Sequence, residues 1–568
     1  MATKLENGDE NVENGDKQIN SNDLTGGFGR WQMNITIFYF VAYILTTINN
    51  LGYVFQAANT DYHCVHPIII STTTAVDSFT INKDLDSLYT NTFSTISNFS
   101  STPSSISNYT HTSSSSLSLS SSSSLSCDNV HYCSKLIYNN SIEFDETVTS
   151  KFGLICGKEW LRSFAQSMYQ LGYVFSGIII AWISDHCGRK FALQISIAFE
   201  LLGGLLLILS PSIHLYTLAR LILGFGDSGR GMCLYMLLME TVGTKRRSDV
   251  IMGCNFGWIV GYLLLPILAY ILHNYVLVQL VATLGMTVMA LFWLPYLPES
   301  PRWLLANEKY ERAKSVLKEA CKRNNRVEVV KEFEYKFESL KNKASKLITT
   351  GKAVEEQEQE QSDSEKFMTL WSMVTNKKYC MMTLILWFSF FVNGFIYHGF
   401  SLNVEIIGGN IFINFALAGL VEIPSVVISL IGMRYIGRKA FIISTIVSAA
   451  SCYATIAIFR LLCDDLSEND ILLISLSMLG KMFIFATFNA IYIHAGEIFP
   501  TKLRQSGVSS CSISARAGST IAPFVKDLTM SFGLTNTIIM FTVLSLTAAI
   551  GTFFLPETKD RDLIDNID

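Results

Sequence analysis

Six charged side chains fall inside long apolar stretches of this chain: Arg220, Asp227, Arg230, Glu422, Lys481 and Arg516. A charge surrounded by hydrocarbon is costly, so each is a candidate for binding or moving an ion. Arg516, in Ser514-Ala515-Arg516-Ala517-Gly518, offers a planar fork of donors that suits a carboxylate. Glu422 offers the opposite charge, and an acid and an arginine facing one cavity would suit a zwitterion. Asp227 and Arg230 share a helical face, which fits a self-neutralising structural pair as well as a substrate site. Catalytic chemistry has no comparable footing. No G-x-x-x-x-G-K-[ST] run occurs, the nine histidines are scattered, and His398 and His494 stand alone on apolar helices, as packed histidines do. The expectation is a protein with no enzyme activity, no cofactor and no metal.

A second set of charges is written twice. Gly188-Arg189-Lys190 recurs as Gly437-Arg438-Lys439, Glu240-x-x-x-Thr244-Lys245-x-Arg247 as Glu497-x-x-x-Thr501-Lys502-x-Arg504, and Pro298-Glu299-Ser300 as Pro556-Glu557-Thr558. The nearly constant offset marks one helical bundle duplicated in tandem. Acids and arginines at neighbouring helix ends can pair when the ends are close and part when they separate, which makes Asp185, Arg189, Glu240, Arg247, Glu299, Arg302, Arg438, Glu497 and Arg504 candidate gating residues. Topological anchoring by the cations alone would leave the acids at fixed spacing unexplained.

These side chains need elements to hold them. The chain is 49% hydrophobic and 16% charged over 568 residues, so much of its apolar surface must face lipid. Apolar windows of about 20 residues give twelve spans, six per copy: an all-α membrane protein of two six-helix repeats. Residues 1–33 form an N-terminal segment, 34–297 the first bundle, 298–378 a charged linker, 379–555 the second bundle and 556–568 a tail. Among the windows, 409–433 and 505–530 are read as single spans. The basic residues of the repeated motifs fall in short connections on one side, which places that side and both termini in the cytoplasm. No basic, aromatic-interleaved patch suggests nucleic acid.

On this topology the segment of about 57–159 lies outside. It carries sequons at Asn98, Asn108 and Asn139, a serine-rich run from Thr112 to Ser126, and Cys64, Cys127, Cys133 and Cys156. Four cysteines in an oxidising compartment imply two disulfides, with three pairings open.

With these residues in hand, the chain resembles the major facilitator superfamily, and more narrowly its organic cation, organic anion and carnitine transporter family. The likeness runs from Gly26-Gly27-Phe28-Gly29-Arg30-Trp31-Gln32 to Pro556-Glu557-Thr558. It includes Asp61-Tyr62-His63-Cys64, Phe152-Gly153-Leu154-Ile155-Cys156, Trp160, Pro298 to Leu305, Val421-Glu422-Ile423-Pro424 and Glu497-Ile498-Phe499-Pro500-Thr501. The resemblance implies the facilitator fold and a plasma-membrane transporter of small organic ions. At the position of Arg516, the family's cation transporters tend to carry Asp, and its anion and carnitine transporters Arg. Glu422 matches an acid placed near bound cations in the cation branch. Tyr397 matches a substrate-contacting tyrosine, Phe390 a tryptophan, and Asn255 and Trp258 a glutamine and a phenylalanine. Departures exist: Val426 stands where anion members often have Lys, and Gly231 where cation members have Trp. The implied substrate is anionic or zwitterionic, carnitine-like. The alternatives are an organic cation transporter, a sugar porter, and a non-transporting receptor on the same fold.

The three sequons generate a direct test of the topology. Enzymatic deglycosylation should increase gel mobility, and combining Asn98→Gln, Asn108→Gln and Asn139→Gln should abolish the change. A shift that persists in the triple variant would mean that the sites are wrong.

Overall fold

The computed structural model describes residues 28–58, 62–64, 136–138, 146–325, 377–404, 409–462, 471–499 and 504–559. Twelve long helical segments carry the main body. They are α1 (Arg30–Leu51, resumed as Tyr53–Gln56), α2 (Trp160–Cys187), α3 (Arg189–Leu209), α4 (Ile213–Thr241), α5 (Thr244–Leu272) and α6 (Tyr275–Phe292) in the first half. The second half supplies α7 (Lys377–Leu402), α8 (Ile411–Leu420 and Glu422–Tyr435), α9 (Arg438–Leu462), α10 (Ile471–Ile498), α11 (Arg504–Ile521) and α12 (Leu534–Phe553). Among the described residues, ten of these are long and apolar enough to cross a membrane. The other two are α4, with its three mid-helix charges, and α11, which sets Arg516 among serines. Both are covered by neighbouring helices rather than left to lipid.

The duplication is visible in the packing. In the first half α3 lies on α4, α2 on α4, α1 on α5 and α3 on α6; in the second, α9 lies on α10, α8 on α10, α7 on α11 and α9 on α12. Each contact in one half thus recurs six helices later. The halves meet through α2 against α11 and α5 against α8, again a symmetric pair.

Two expected spans are interrupted, each at a proline. The 505–530 window ends as α11 at Ile521; Ala522–Phe524 forms a 3-10 turn containing Pro523, and Val525–Phe532 is a separate short helix. The 409–433 window breaks at Val421, three residues before Pro424. A proline ring lacks the N–H for the helical ladder and crowds the carbonyl four residues back, so the interruption falls one turn earlier.

At the end that bears the repeated motifs, α2 turns into α3 through Gly188 at φ 109° and α8 into α9 through Gly437 at φ 103°, a region that favours glycine. The acid of each Pro-Glu motif docks there. Glu299 accepts from the backbone N–H groups of Arg189 (2.9 Å) and Lys190 (3.1 Å), and Glu557 from those of Arg438 (2.9 Å) and Lys439 (3.1 Å). Each carboxylate therefore caps a helix N-terminus, where the amides are unsatisfied and the dipole is positive. For Glu557, partial burial pushes the carboxyl up, but the amides of Lys559, Arg438, Thr558 and Ala440 outweigh it and hold it below its ordinary range. Beside the caps, Arg189 pairs with Glu240 (2.9 Å) and Asp185 (3.2 Å), and Arg438 with Glu497 (3.2 Å). Each cluster closes within its own half. Trp303, on the short helix Pro301–Ala306, donates to the Asp185 carbonyl (2.7 Å) and ties the start of the linker to the first cluster.

Residues Asp61–Asn139 form a separate compact unit. Its described part is a two-stranded antiparallel sheet, β1 (Tyr62–Cys64) and β2 (Leu136–Tyr138), with His63 opposite Ile137. Asn98, Asn108, Asn139, Cys127 and Cys133 lie outside the described residues. Cys156 is disulfide-bonded.

Helices α7 and α11 press together backbone to backbone. A Cβ at Gly394 would stand 2.2 Å from the Ala515 carbonyl oxygen, and one at Gly518 would stand 2.2 Å from that of Phe391. Only glycine permits that approach, and it fixes the height of Arg516, one residue from Ala515. Gly518→Leu should lower the thermal unfolding temperature of the detergent-purified protein by several degrees, for a strain on the order of 1–3 kcal/mol. Gly496→Ala, where a Cβ meets open space, should leave it unchanged. Equal unfolding temperatures for the Gly518 variant and the wild type would disprove the close contact.

Candidate functional site

Arg516 projects from the middle of α11 towards the first half. Its guanidinium lies over the ring of Tyr173 on α2, 4.9 Å from the centroid. The side chain is half-buried and has no hydrogen bond or ion pair to any described residue. Tyr43 on α1 and His398 on α7 lie within its electrostatic reach. Among the described mid-helix charges, a cation with neither a carboxylate nor a hydrogen-bond partner is the exception.

Every other described mid-helix charge is ion-paired or hydrogen-bonded. Arg230 pairs with Glu200 at 2.6 Å and with Asp227, and donates to the Ala42 carbonyl (3.0 Å) and the Thr46 hydroxyl (2.9 Å). Asp227 also accepts from Tyr169, Tyr173 (2.9 Å) and Thr46 (2.8 Å). All three ionised groups are at most 2% exposed, so this triad is a closed knot joining α1, α2, α3 and α4. Arg220 donates to the Asn49 carbonyl and to Gln166, and its guanidinium lies against the rings of Tyr53 and Tyr169.

Glu422 is fully buried at the break in α8 and is paired with Lys481 of α10 at 3.0 Å. Lys481 also donates to the Tyr262 hydroxyl (3.0 Å) and to the Ala418 carbonyl (2.7 Å), in the last turn before the break. Tyr397 donates to Glu422 (2.8 Å) and accepts from Trp258 Nε1 (3.1 Å). A polar chain thus runs from α5 through α7, α8 and α10 and returns to α5 at Tyr262. Aromatic rings extend it: Tyr43 lies 5.9 Å from Trp258, and Tyr397 lies 5.6 Å from Phe485 and 6.2 Å from Phe488.

Among the described residues, the hydrogen bonds and ring contacts between the halves lie at or beyond the midpoint of the helices, away from the motif-bearing end. Beyond Trp258 and Arg516, Phe55 stacks on Phe412 (5.3 Å) and meets Phe415 (4.9 Å), while Tyr262 stacks on Phe415 (4.4 Å). That apolar plug closes one end.

The sequence-based candidates therefore divide. Arg516, Tyr397, Trp258 and Glu422 gather along the seam between the halves. Asn255 lies on α5 one turn from Trp258, on the exposed side. Phe390 does not reach the seam surface: it is fully buried in the core of the second half, edge-on to Tyr492 at 4.8 Å. Asp227 and Arg230 sit inside the knot, with Tyr173 linking them to Arg516. Among the gating candidates, Asp185, Arg189 and Glu240 converge, as do Arg438 and Glu497, whereas Glu299 caps α3. The side chains of Arg247 and Arg504 lie outside the described residues. Glu200 was missed although it stands in an apolar run, where its charge alone was a signal. Tyr173 and Tyr262 carried no such signal.

The profile of the sugar (and other) transporter family matches residues 70–566. An organic cation transporter protein of Drosophila melanogaster is 29% identical over 445 residues, covering 78% of this chain and 77% of its own. Solute carrier family 22 member 2 of Rattus norvegicus is 28% identical over 428 residues, covering 74% and 71%. Among solved structures, the xylose transporter XylE from E. coli in its inward open conformation superposes with a TM-score of 0.54 at 16% identity, covering 72% of this chain and 88% of its own. Its partially occluded inward open form gives 0.54 at 13% identity, covering 93% and 100%. The likeness to these structures shows the fold, and the family profile spans most of the sequence. The chain is a multi-pass membrane protein with the major facilitator fold and belongs to the sugar (and other) transporter family.

Proposed function

We propose that this protein is an alternating-access transporter of small organic ions that carry a carboxylate or similar anionic group, acting in the plasma membrane with both termini in the cytoplasm. The observation that carries the reading is the uncompensated guanidinium of Arg516, set between the halves while Glu422, Asp227 and Glu200 are all engaged by cations. A guanidinium accepts a carboxylate edge-on through two parallel hydrogen bonds, leaving its face on Tyr173. The rings of Tyr43, Trp258, Tyr397 and Phe488 suit an apolar or aromatic substrate body.

The basic motif-bearing end supports a cytoplasmic assignment. With the apolar plug at the other end, the arrangement described is inward-facing. Exchange of access then requires the Phe55–Phe412–Phe415 contacts to part and the motif-bearing ends to approach. The Arg189 and Arg438 clusters stiffen those ends within each half. Arg189→Ala or Glu497→Ala should cut turnover while surface density holds; parallel loss of both would mark the clusters as structural only.

Anions are favoured over zwitterions because Lys481 already occupies Glu422. The names of the relatives favour a second reading, organic cations, which would need Glu422 to be released. A sugar site would call for uncharged hydrogen-bonding groups, and Arg516 argues against it.

Uptake of radiolabelled succinate, carnitine, a hydrophobic quaternary amine and glucose separates these readings. Arg516→Asp should reduce carboxylate uptake at least about thirtyfold at equal surface density, since breaking such a contact costs on the order of 2–5 kcal/mol. Arg516→Lys, which keeps the charge but not the fork, should be intermediate. Wild-type uptake of the quaternary amine with no uptake of carboxylates would overturn the reading, as would undiminished carboxylate uptake by Arg516→Asp. Saturable uptake of none of the four would favour a receptor role.

A further inference from the structure

At the helix ends remote from the repeated motifs, the duplicated scaffold forms a hollow in each half. In the first half it is filled from within the chain. Val148 and Phe152 of the short helix Val148–Phe152, with Leu154 just after it, pack among Tyr53 of α1, Leu207 of α3, Tyr216 of α4 and Tyr275 of α6. Residues 403–410, which join α7 to α8, are too few to repeat that insert. In the second half there remains a cavity of about 470 Å³, part of it open to solvent, between α7, α9, α10, α12 and the short helix Val525–Phe532. The two hollows correspond by sequence: Ile456 stands as far beyond Arg438 as Leu207 beyond Arg189, and Leu473 as far before Glu497 as Tyr216 before Glu240. Phe400, Ile456, Leu473, Val525, Ile538 and Phe541 make its wall apolar. Arg460, half-buried in the last turn of α9, lines it where the first half has Pro211 at the matching position. A cation there complements the helix dipole, yet its Nε is buried without a hydrogen-bond partner. That N–H and its neighbour on the guanidinium form the fork that grips a carboxylate.

We propose that this hollow is a binding site, separate from the seam, for a water-borne amphiphilic carboxylate. An aryl or alkyl body takes the place of the first half's plug, driven by burial of its apolar surface, and Arg460 holds the anionic end. The lining belongs wholly to the second half and does not include Arg516. Occupancy also has a mechanical consequence. Val525 and Thr529 line the hollow, whereas Lys526, on the same short helix, lines a second cavity together with Tyr53, Arg162 and Gln166 of the first half. A ligand therefore braces this helix, just past the break at Pro523, where the two halves meet. The site depends neither on Arg516 nor on the transport reading, so the two stand or fall separately.

Thermal unfolding of the purified protein with phenylbutyrate, phenylbutylammonium, phenylbutanol or acetate reads the chemistry of the site. Phenylbutyrate near saturation should raise the unfolding temperature by about 1–3 °C, phenylbutanol by less, and the other two not at all. Arg516→Asp should keep that shift, while Arg460→Gln should need at least about tenfold more ligand to reach it. Leu473→Phe, which puts a ring where the first half has Tyr216, should abolish it. Amide hydrogen exchange then locates the ligand: phenylbutyrate should slow exchange across residues 525–532 at least about threefold in wild type and in Arg516→Asp, but not in Arg460→Gln. Should Leu473→Phe fail to fold, Arg460→Gln and the exchange measurement decide, since Arg460 is only half-buried. A shift given equally by phenylbutylammonium or phenylbutanol overturns the proposal. So does one that Arg516→Asp removes or Arg460→Gln leaves intact, and so does the lack of any shift or of slowed exchange in residues 525–532.

Discussion

The expense of an unmatched charge in hydrocarbon governs this molecule more than any other term. Removing an ion from water costs several kcal/mol even after relaxation, and the bundle carries Glu200, Asp227, Arg220, Arg230, Glu422, Lys481 and Arg516 at depth. Its answer is to match charges across helices: Arg230 against Glu200 and Asp227 in the first half, Lys481 against Glu422 in the second. Such pairs hold neighbouring helices in register. Arg220 is held instead by the Asn49 carbonyl and Gln166, which leaves Arg516, open on the seam, conspicuous.

The scaffold is symmetric and the chemistry is not. Helix packing repeats from one half to the other, and so do the carboxylate caps of Glu299 and Glu557. The mid-helix charges obey no such repeat. In the first half they are drawn into a closed knot around α4, while in the second they lie on three helices that face the seam. Duplication supplied two similar bodies able to move as units, and divergence between them placed the ligand chemistry mostly on one side.

Much of this was legible in the chain. Apolar windows marked the helices, and the doubled motifs marked the repeat, because both depend on local composition. The breaks at Val421 and Ile521 were missed even though Pro424 and Pro523 announced them, since an apolar window ignores backbone donors. Pairings were harder. Glu422 and Lys481 belong to different helices, and nothing in one-dimensional spacing says that α8 and α10 face each other there. Read singly, Glu422 looked available to a cationic substrate; its partner became visible only when the helices were placed. Phe390 shows the converse failure, since aromatic character alone does not separate a cavity wall from a packed core. Glu299 looked like a gating charge, whereas its carboxylate satisfies backbone amides that carry no side-chain signature.

The stacking of Arg516 on Tyr173 joins one half to the other. It exists only while α2 and α11 hold their present relation, so any conformer that separates them forfeits it. At about 0.5–2 kcal/mol for such a contact, the forfeit amounts to roughly two- to thirtyfold in relative population. The residue best placed to grip an anion is therefore also a weight on the balance between conformers, and the two halves of that role cannot be tuned separately.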